Sequence, residues 1–172
     1  MYVKLKKKYG QNFLIDENIS NKIVDLIKFN KLKILEIGPG DGKLTNKIIK
    51  KNPKKFELIE IDKELYLILK EKFKKYNFIK IVNENILKYE IKNKYDLVIS
   101  NLPYNISSQV LVKLSTMDIT PKFMILMFQK EFANKLLEEN LNSINSIVNC
   151  FFKIKLEFQV SKNCFRPIPK ID

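Results

Sequence analysis

The sequence predicts an open α/β domain, a doubly wound and mostly parallel sheet with helices on both faces. Three observations predict it. Short apolar runs recur along the chain, and each is followed by a segment whose apolar residues keep helical spacing. The runs are apolar without alternation, as strands buried on both faces are. The most unusual loops, one rich in glycine and one reading Asn101-Leu102-Pro103-Tyr104, fall at the carboxyl ends of such runs. Open α/β sheets place their ligands there.

Each element has its own signal. Asp16 or Asn18 can cap a helix through Asn21–Lys28. Lys33–Ile37 is a first strand, broken by Gly38-Pro39-Gly40-Asp41-Gly42, and a helix follows over 43–51. Phe56–Ile61 is a second strand and 63–75 a second helix. Phe78–Val82 and Tyr95–Ser100 are the third and fourth strands. Ile106–Leu114 reads as helix, Lys122–Phe128 as a fully apolar fifth strand, and 129–139 and 144–150 as helices. A sixth strand is expected within Phe151–Val160. Tyr9-Gly10-Gln11-Asn12-Phe13-Leu14 is too short for regular structure and suits a flap over a ligand or an arm packed on the core.

Composition narrows the chemistry. At 172 residues, 45% hydrophobic and 30% charged, the chain fits one domain with a real core. No apolar stretch approaches the roughly 18 residues that span a membrane, and the basic start lacks a signal peptide's apolar core. A cytoplasmic location is the default. There is no histidine, which excludes an imidazole base and Ser-His or Cys-His catalysis. Cys150 and Cys164 make no disulfide framework, and no metal is expected. The net charge of +13 points to a polyanionic partner. Of 32 basic residues only Arg166 is arginine, however, and an AT-rich coding sequence yields the same lysine excess.

The loops carry the specific chemistry. Asn101 and neighbouring backbone carbonyls can accept hydrogen bonds from an exocyclic amine. Pro103 stiffens the loop, and Tyr104 offers a flat face to a base. The tetrapeptide resembles the signature of methyltransferases acting on amino groups of nucleic-acid bases. Gly38, Gly40 and Gly42 let a ligand approach the backbone closely. Lys43 stands where the dinucleotide fingerprint wants its third glycine, so the spacing looks instead like an S-adenosylmethionine loop. Glu60, some 20 residues on, is placed to grip a ribose diol, with Asp62 as a helix cap. Asn85 lies where adenosine-binding folds usually carry an acid. Phe165, before Pro167 and Pro169, can stack on a flipped base or pack in the core.

Taken together, Tyr-Gly-Gln-Asn-Phe-Leu, Glu-Ile-Gly-Pro-Gly-x-Gly, Ile-Glu-Ile-Asp, Asn-Leu-Pro-Tyr-Asn-Ile-Ser, Gln-Lys-Glu and Phe-x-Pro-x-Pro-Lys-Ile-Asp resemble, in that order, the ribosomal RNA adenine dimethyltransferases. The nearest branch is the bacterial small-subunit (KsgA) type. The resemblance implies a Rossmann-like S-adenosylmethionine-dependent methyltransferase fold over residues 1–172, with 1–15 a basic arm. It implies cofactor contacts from Gln11, Asn12, Leu14, Gly38, Gly40, Glu60, Ile61, Asn85, Ile86 and Asn101. Asn101, Leu102, Pro103 and Tyr104 would be catalytic, and Tyr104 and Phe165 would hold the target adenine. The implied reaction is N6,N6-dimethylation of two adjacent adenosines near the 3′ end of small-subunit ribosomal RNA, by a monomer acting on the assembling subunit. Three departures stand out: Asn85 replaces the usual Asp, the segment Ser143–Val148 is shortened, and the family's helical carboxyl-terminal domain is expected to be absent, the chain stopping before or within a seventh strand. They leave room for a rival, a catalytically weak assembly factor. A DNA adenine methyltransferase ranks last, since its motif usually begins with Asp before a Pro-Pro pair.

Overall fold

A computed structural model describes Lys6 and residues 9–169. The rest of the basic start, and Lys170, Ile171 and Asp172 of the last motif, lie outside the described residues. In chain order the elements are β1 (Phe13–Leu14), α1 (Glu17–Asp25), β2 (Lys33–Ile37), α2 (Lys43–Ile49), β3 (Lys55–Glu60), α3 (Lys63–Phe73) and β4 (Ile79–Asn83). There follow β5 (Leu97–Asn101), α4 (Ser107–Thr116), β6 (Phe123–Met127), α5 (Lys130–Leu137), α6 (Ser143–Asn149) and β7 (Phe165–Arg166).

Five strands form one parallel sheet in the order β4-β3-β2-β5-β6. Its registers pair Ile37 with both Ile59 and Ser100, and Glu60 with Asn83, so the carboxyl ends lie level. Alternate residues feed two cores. Ile34, Phe56, Leu58, Leu97 and Ile99 pack against Ile23, Val24, Ile48, Leu69 and Phe73 of α1–α3. Leu35, Ile37, Ile59 and Val98 pack against Val110 and Leu114 of α4, and Leu111 continues that face to Leu136 and Val148 of α5 and α6. Burial on both faces is why these strands read as unbroken apolar runs. Glu57, an acid inside β3, is met by Tyr89, Tyr95 and Lys80. Burial opposes its charge, yet those hydrogen bonds hold its pKa below the usual carboxylate value.

The expected caps are resolved by geometry. Asp16, not Asn18, caps α1, its Oδ1 accepting from the Ile19 N–H at 2.8 Å. Asp62 caps α3 in the same way, accepting from the Glu64 N–H at 3.0 Å.

Two expectations are corrected. Phe13–Leu14 is regular after all, pairing antiparallel with Phe165–Arg166. The sixth strand within Phe151–Val160 does not form. Side chains two apart on a strand share a face, so Phe152, Ile154, Phe158 and Val160 would all point one way. Instead Phe152 and Ile154 join the α4–α6 core, Phe158 and Val160 join the α1–α3 core, and Leu156 between them is 48% exposed. The segment passes from one face of the sheet to the other.

Candidate active site

The carboxyl ends of β2, β3, β4 and β5 open into one cleft, and the segment Tyr9–Leu14 lies across it. Of the residues the sequence singled out, Gln11, Asn12, Leu14, Gly38, Gly40, Glu60, Ile61, Asn85, Ile86 and Asn101–Tyr104 all line this cleft. Phe165 does not. Phe165 is 7% exposed and packs in the core with Leu14, its partner in the antiparallel pairing of β7 with β1. In this structure Phe165 is a core residue and not a stacking face.

The glycine loop is shaped for a ligand. Gly38 sits at φ 66°, and a Cβ there would meet nothing within 4 Å, so its missing side chain is open space in the cleft. A Cβ on Gly40 would lie 2.9 Å from the Phe13 ring, which makes glycine there a requirement of packing under the arm. Below the loop, Glu36 accepts from the Thr45 hydroxyl at 2.7 Å, and full burial pushes its pKa to about 8, with the negative charge of Glu60 adding to the shift. Glu60 is clamped by two backbone N–H groups, Asp62 at 2.9 Å and Gly40 at 3.2 Å. Burial still lifts its pKa to about 7, against those two hydrogen bonds.

The arm is pinned at both sides of the cleft. On the β3 side, the buried Asp62 accepts from Lys6 Nζ at 2.7 Å and from Gln11 Nε2 at 3.1 Å. On the β5 side, Asn101 Nδ2 donates to the Asn12 carbonyl at 2.9 Å. A carbonyl can be met only by the amide's NH₂ end, so among the described residues the Asn101 oxygen is the end left unengaged. Asn85 is the reverse: its Oδ1 accepts from the Leu87 N–H at 2.9 Å. Behind that loop, Lys113 of α4 donates to the carbonyls of Ile86, Leu87 and Tyr89 at 2.9, 3.1 and 2.7 Å. One lysine thus ties the helix after Asn101–Tyr104 to the loop that carries Asn85.

With this geometry in view, the comparisons become informative. The model of the ribosomal RNA adenine dimethylase family matches residues 2–172. The chain belongs to that family. It is 41% identical to the ribosomal RNA small subunit methyltransferase A of Pelagibacter ubique, over all of this chain and 69% of that protein. The protein of the same description from Mycoplasmopsis pulmonis is 39% identical over 99% of this chain and 69% of its own length. A dimethyladenosine transferase from Plasmodium falciparum superposes with a TM-score of 0.85 at 32% identity, covering 93% of this chain and 60% of that one. The 23S ribosomal RNA methyltransferase ErmE superposes with a TM-score of 0.83 at 25% identity, covering 93% of this chain and 66% of its own. The Rossmann-like methyltransferase fold and the enzyme class, ribosomal RNA adenine dimethylation, are those of this family.

Sequence reasoning missed several of the dimethylase site's supports. Lys6 and Lys113 are single lysines among many, and no local pattern marks them. Asp62 was legible as a cap but not as the arm's fastening. Glu36 and Thr45 sit nine residues apart, and only the strand-to-helix turn brings them together.

Proposed function

We propose that this chain transfers methyl groups from S-adenosylmethionine to N6 of two adjacent adenosines near the 3′ end of small-subunit ribosomal RNA, producing N6,N6-dimethyladenosine, and that it does so in the cytoplasm as a monomer on the assembling subunit. The family supports methylation of ribosomal adenine. The open space at Gly38 and the clamped Glu60 fit a ribose-bearing cofactor. The order of the strand ends fits its length. Asn85 and Ile86 follow β4, Glu60 ends β3 with Ile61 next to it, Gly38 follows β2 and Asn101 ends β5, which suits base, ribose, amino-acid moiety and target amine in turn. When bound, the cofactor supplies an electrophilic methyl carbon on a sulfonium, which departs with the electron pair of the broken S–C bond.

The observation that carries the reading is the hydrogen bond from Asn101 Nδ2 to the Asn12 carbonyl. It presents Asn101 Oδ1 as an acceptor to the cleft. The lone pair of an adenine amine is delocalised into the ring, so the amine is a poor nucleophile. Asn101 Oδ1 accepts one N6–H bond. The Pro103 carbonyl is already engaged by the Ile106 N–H and the Ser107 hydroxyl, so the Leu102 carbonyl accepts the other. Holding both N–H bonds draws the nitrogen toward tetrahedral geometry and frees its lone pair for the methyl carbon. Tyr104 fixes the ring's plane. The surplus proton on nitrogen passes to solvent, which needs no imidazole. Orientation and electrostatic stabilisation supply the acceleration.

Small-subunit particles incubated with the protein and S-adenosylmethionine, then digested and read by mass spectrometry, test this. Dimethyladenosine at two adjacent positions is the expected product. Methylation of duplex DNA instead, or of no substrate, would refute it. A second reading, a catalytically weak assembly factor, is favoured by one observation: the Asn85 oxygen is already occupied by Leu87. Undetectable binding of S-adenosylmethionine by calorimetry, with particle binding retained, would favour it.

A further inference from the structure

Base composition enriches lysine on both faces of a sheet alike, so it accounts for the number of lysines and not for their placement. Among the described residues that placement is uneven. On the face of α4, α5 and α6, Lys113 is turned into the carbonyls behind the Asn85 loop. Lys130 and Lys135 of α5 are matched by Glu131, Glu138 and Glu139, and α6 carries no charged residue. On the other face, α2 and the turn after it carry Lys43, Lys47, Lys50 and Lys51 with no acid among them. The end of α3 carries Lys70, Lys72, Lys74 and Lys75, with only Glu71 between.

The two rows adjoin. Lys72 Nζ donates to the Asp41 carbonyl at 2.7 Å, just ahead of α2, and a Cβ on Gly42 would lie 2.8 Å from the Phe73 ring. Burial lowers the Lys72 pKa, and the nearby charge of Lys43 acts in the same direction. Glu17 and Asp25 of α1 answer Lys47 and Lys51, and Glu71 answers Lys74. Lys50, Lys70 and Lys75 are exposed and meet no carboxylate among the described residues. Lys70 and Lys75 lie over the Tyr66 and Tyr76 rings, 5.6 and 5.1 Å from their centres. At its upper end the ridge reaches the cleft, which Lys43 lines. We infer that this α2–α3 ridge holds the phosphate backbone of the RNA that flanks the target adenine. Phosphates ask only for point charges, which lysine supplies without arginine's fork. Such contacts position the strand and leave base choice to the cleft. The inference deepens the proposed function, and rests on it, by giving the RNA substrate a place to lie.

Two variants of equal charge test it: Lys50→Gln/Lys70→Gln/Lys75→Gln on the ridge, and Lys130→Gln/Lys135→Gln/Lys153→Gln from α5 and the segment after α6. Filter binding of protein-free small-subunit ribosomal RNA is measured across a range of salt. The ridge variant binds about tenfold or more weakly at low salt, and its slope of log affinity against log salt is smaller by about 2, as lost phosphate contacts require. The control stays within about threefold of wild type. Unchanged circular dichroism and unchanged S-adenosylhomocysteine binding in both variants separate this loss from misfolding. Equal weakening of both variants, or of neither, overturns the inference, while methylation of small-subunit particles by the wild type leaves the proposed function standing. RNA binding retained by the ridge variant, with binding to phosphatidylglycerol vesicles lost, assigns the ridge to an anionic membrane and also overturns it. A wild-type chain that binds no RNA at any salt overturns both.

Discussion

Two asparagines at the carboxyl ends of strands bear the same amide turned in opposite senses. Asn101, after β5, gives its NH₂ to the Asn12 carbonyl and keeps its oxygen for the cleft. Asn85, after β4, gives its oxygen to the Leu87 N–H and keeps its NH₂. The difference lies in the backbone each faces. The arm brings a carbonyl to Asn101, while Asn85 folds onto an N–H two residues ahead in a local turn. A side chain that is chemically symmetric in shape thus becomes an acceptor at one end of the site and a donor at the other. The sense is set by neighbours that a motif does not contain.

The comparison breaks first at Asn101. Asn101→Ala removes the acceptor where charge develops, and the turnover number on small-subunit particles should fall by about 10²–10³. Binding of S-adenosylhomocysteine, measured in the same preparation, should change only a few-fold. A comparable loss of binding would make Asn101 a cofactor residue and not a clamp. Between the two asparagines, Gly38→Ala fills the open space the cofactor needs. Affinity should drop by at least about tenfold, while the thermal midpoint falls by only about 2–8 °C, the cost of a Cβ in the left-handed region.

Glu60 gives the comparison a pH axis. Its carboxyl has a raised pKa of about 7 from burial, and a ribose diol is best gripped by the ionised form. Cofactor affinity should therefore climb as pH rises through about 7, and Glu60→Gln should flatten that profile at a weaker affinity. Stability runs the other way. Glu36, raised to about 8, stays protonated in the folded chain after its unfolded counterpart has ionised near 4.5. The folded state then binds more protons, so stability should fall as pH rises from about 4.5 to 8 and level off above. Glu60, raised to about 7, acts in the same sense, so Glu36→Gln should lessen that slope in denaturant titrations and abolish the part of it between about pH 7 and 8.

The smallest effect is expected at Lys113, which steadies the Asn85 loop from behind. Lys113→Met should raise the cofactor KM several-fold with little change in kcat, and Lys113→Arg should restore part of it. Loss of kcat with KM unchanged would show that the loop's position acts on the Asn101 end instead.

How much of this was legible follows from the physics of each signal. The five parallel strands were readable because burial on both faces leaves continuous apolar runs of fixed length. The cleft was readable because glycine, proline and a helix-capping acid have few other uses at strand ends. Phe151–Val160 misled because an extended, alternating segment looks the same whether it joins a sheet or crosses its edge. Phe165 was read on its aromatic face, but the pairing of β7 with β1 turned that face inward. The senses of the two amides were out of reach, since each depends on a partner fixed by the fold: Asn12, 89 residues away from Asn101, and the Leu87 N–H, only as that loop is turned.

Side-chain amide spectra of the ¹⁵N-labelled protein test the opposition of the two asparagines most directly. On addition of S-adenosylhomocysteine, the NH₂ resonances of Asn85 should shift strongly, while those of Asn101, held by the Asn12 carbonyl, should show slow solvent exchange before and after. A rapidly exchanging Asn101 NH₂ together with an Asn85 NH₂ indifferent to the ligand would contradict the account.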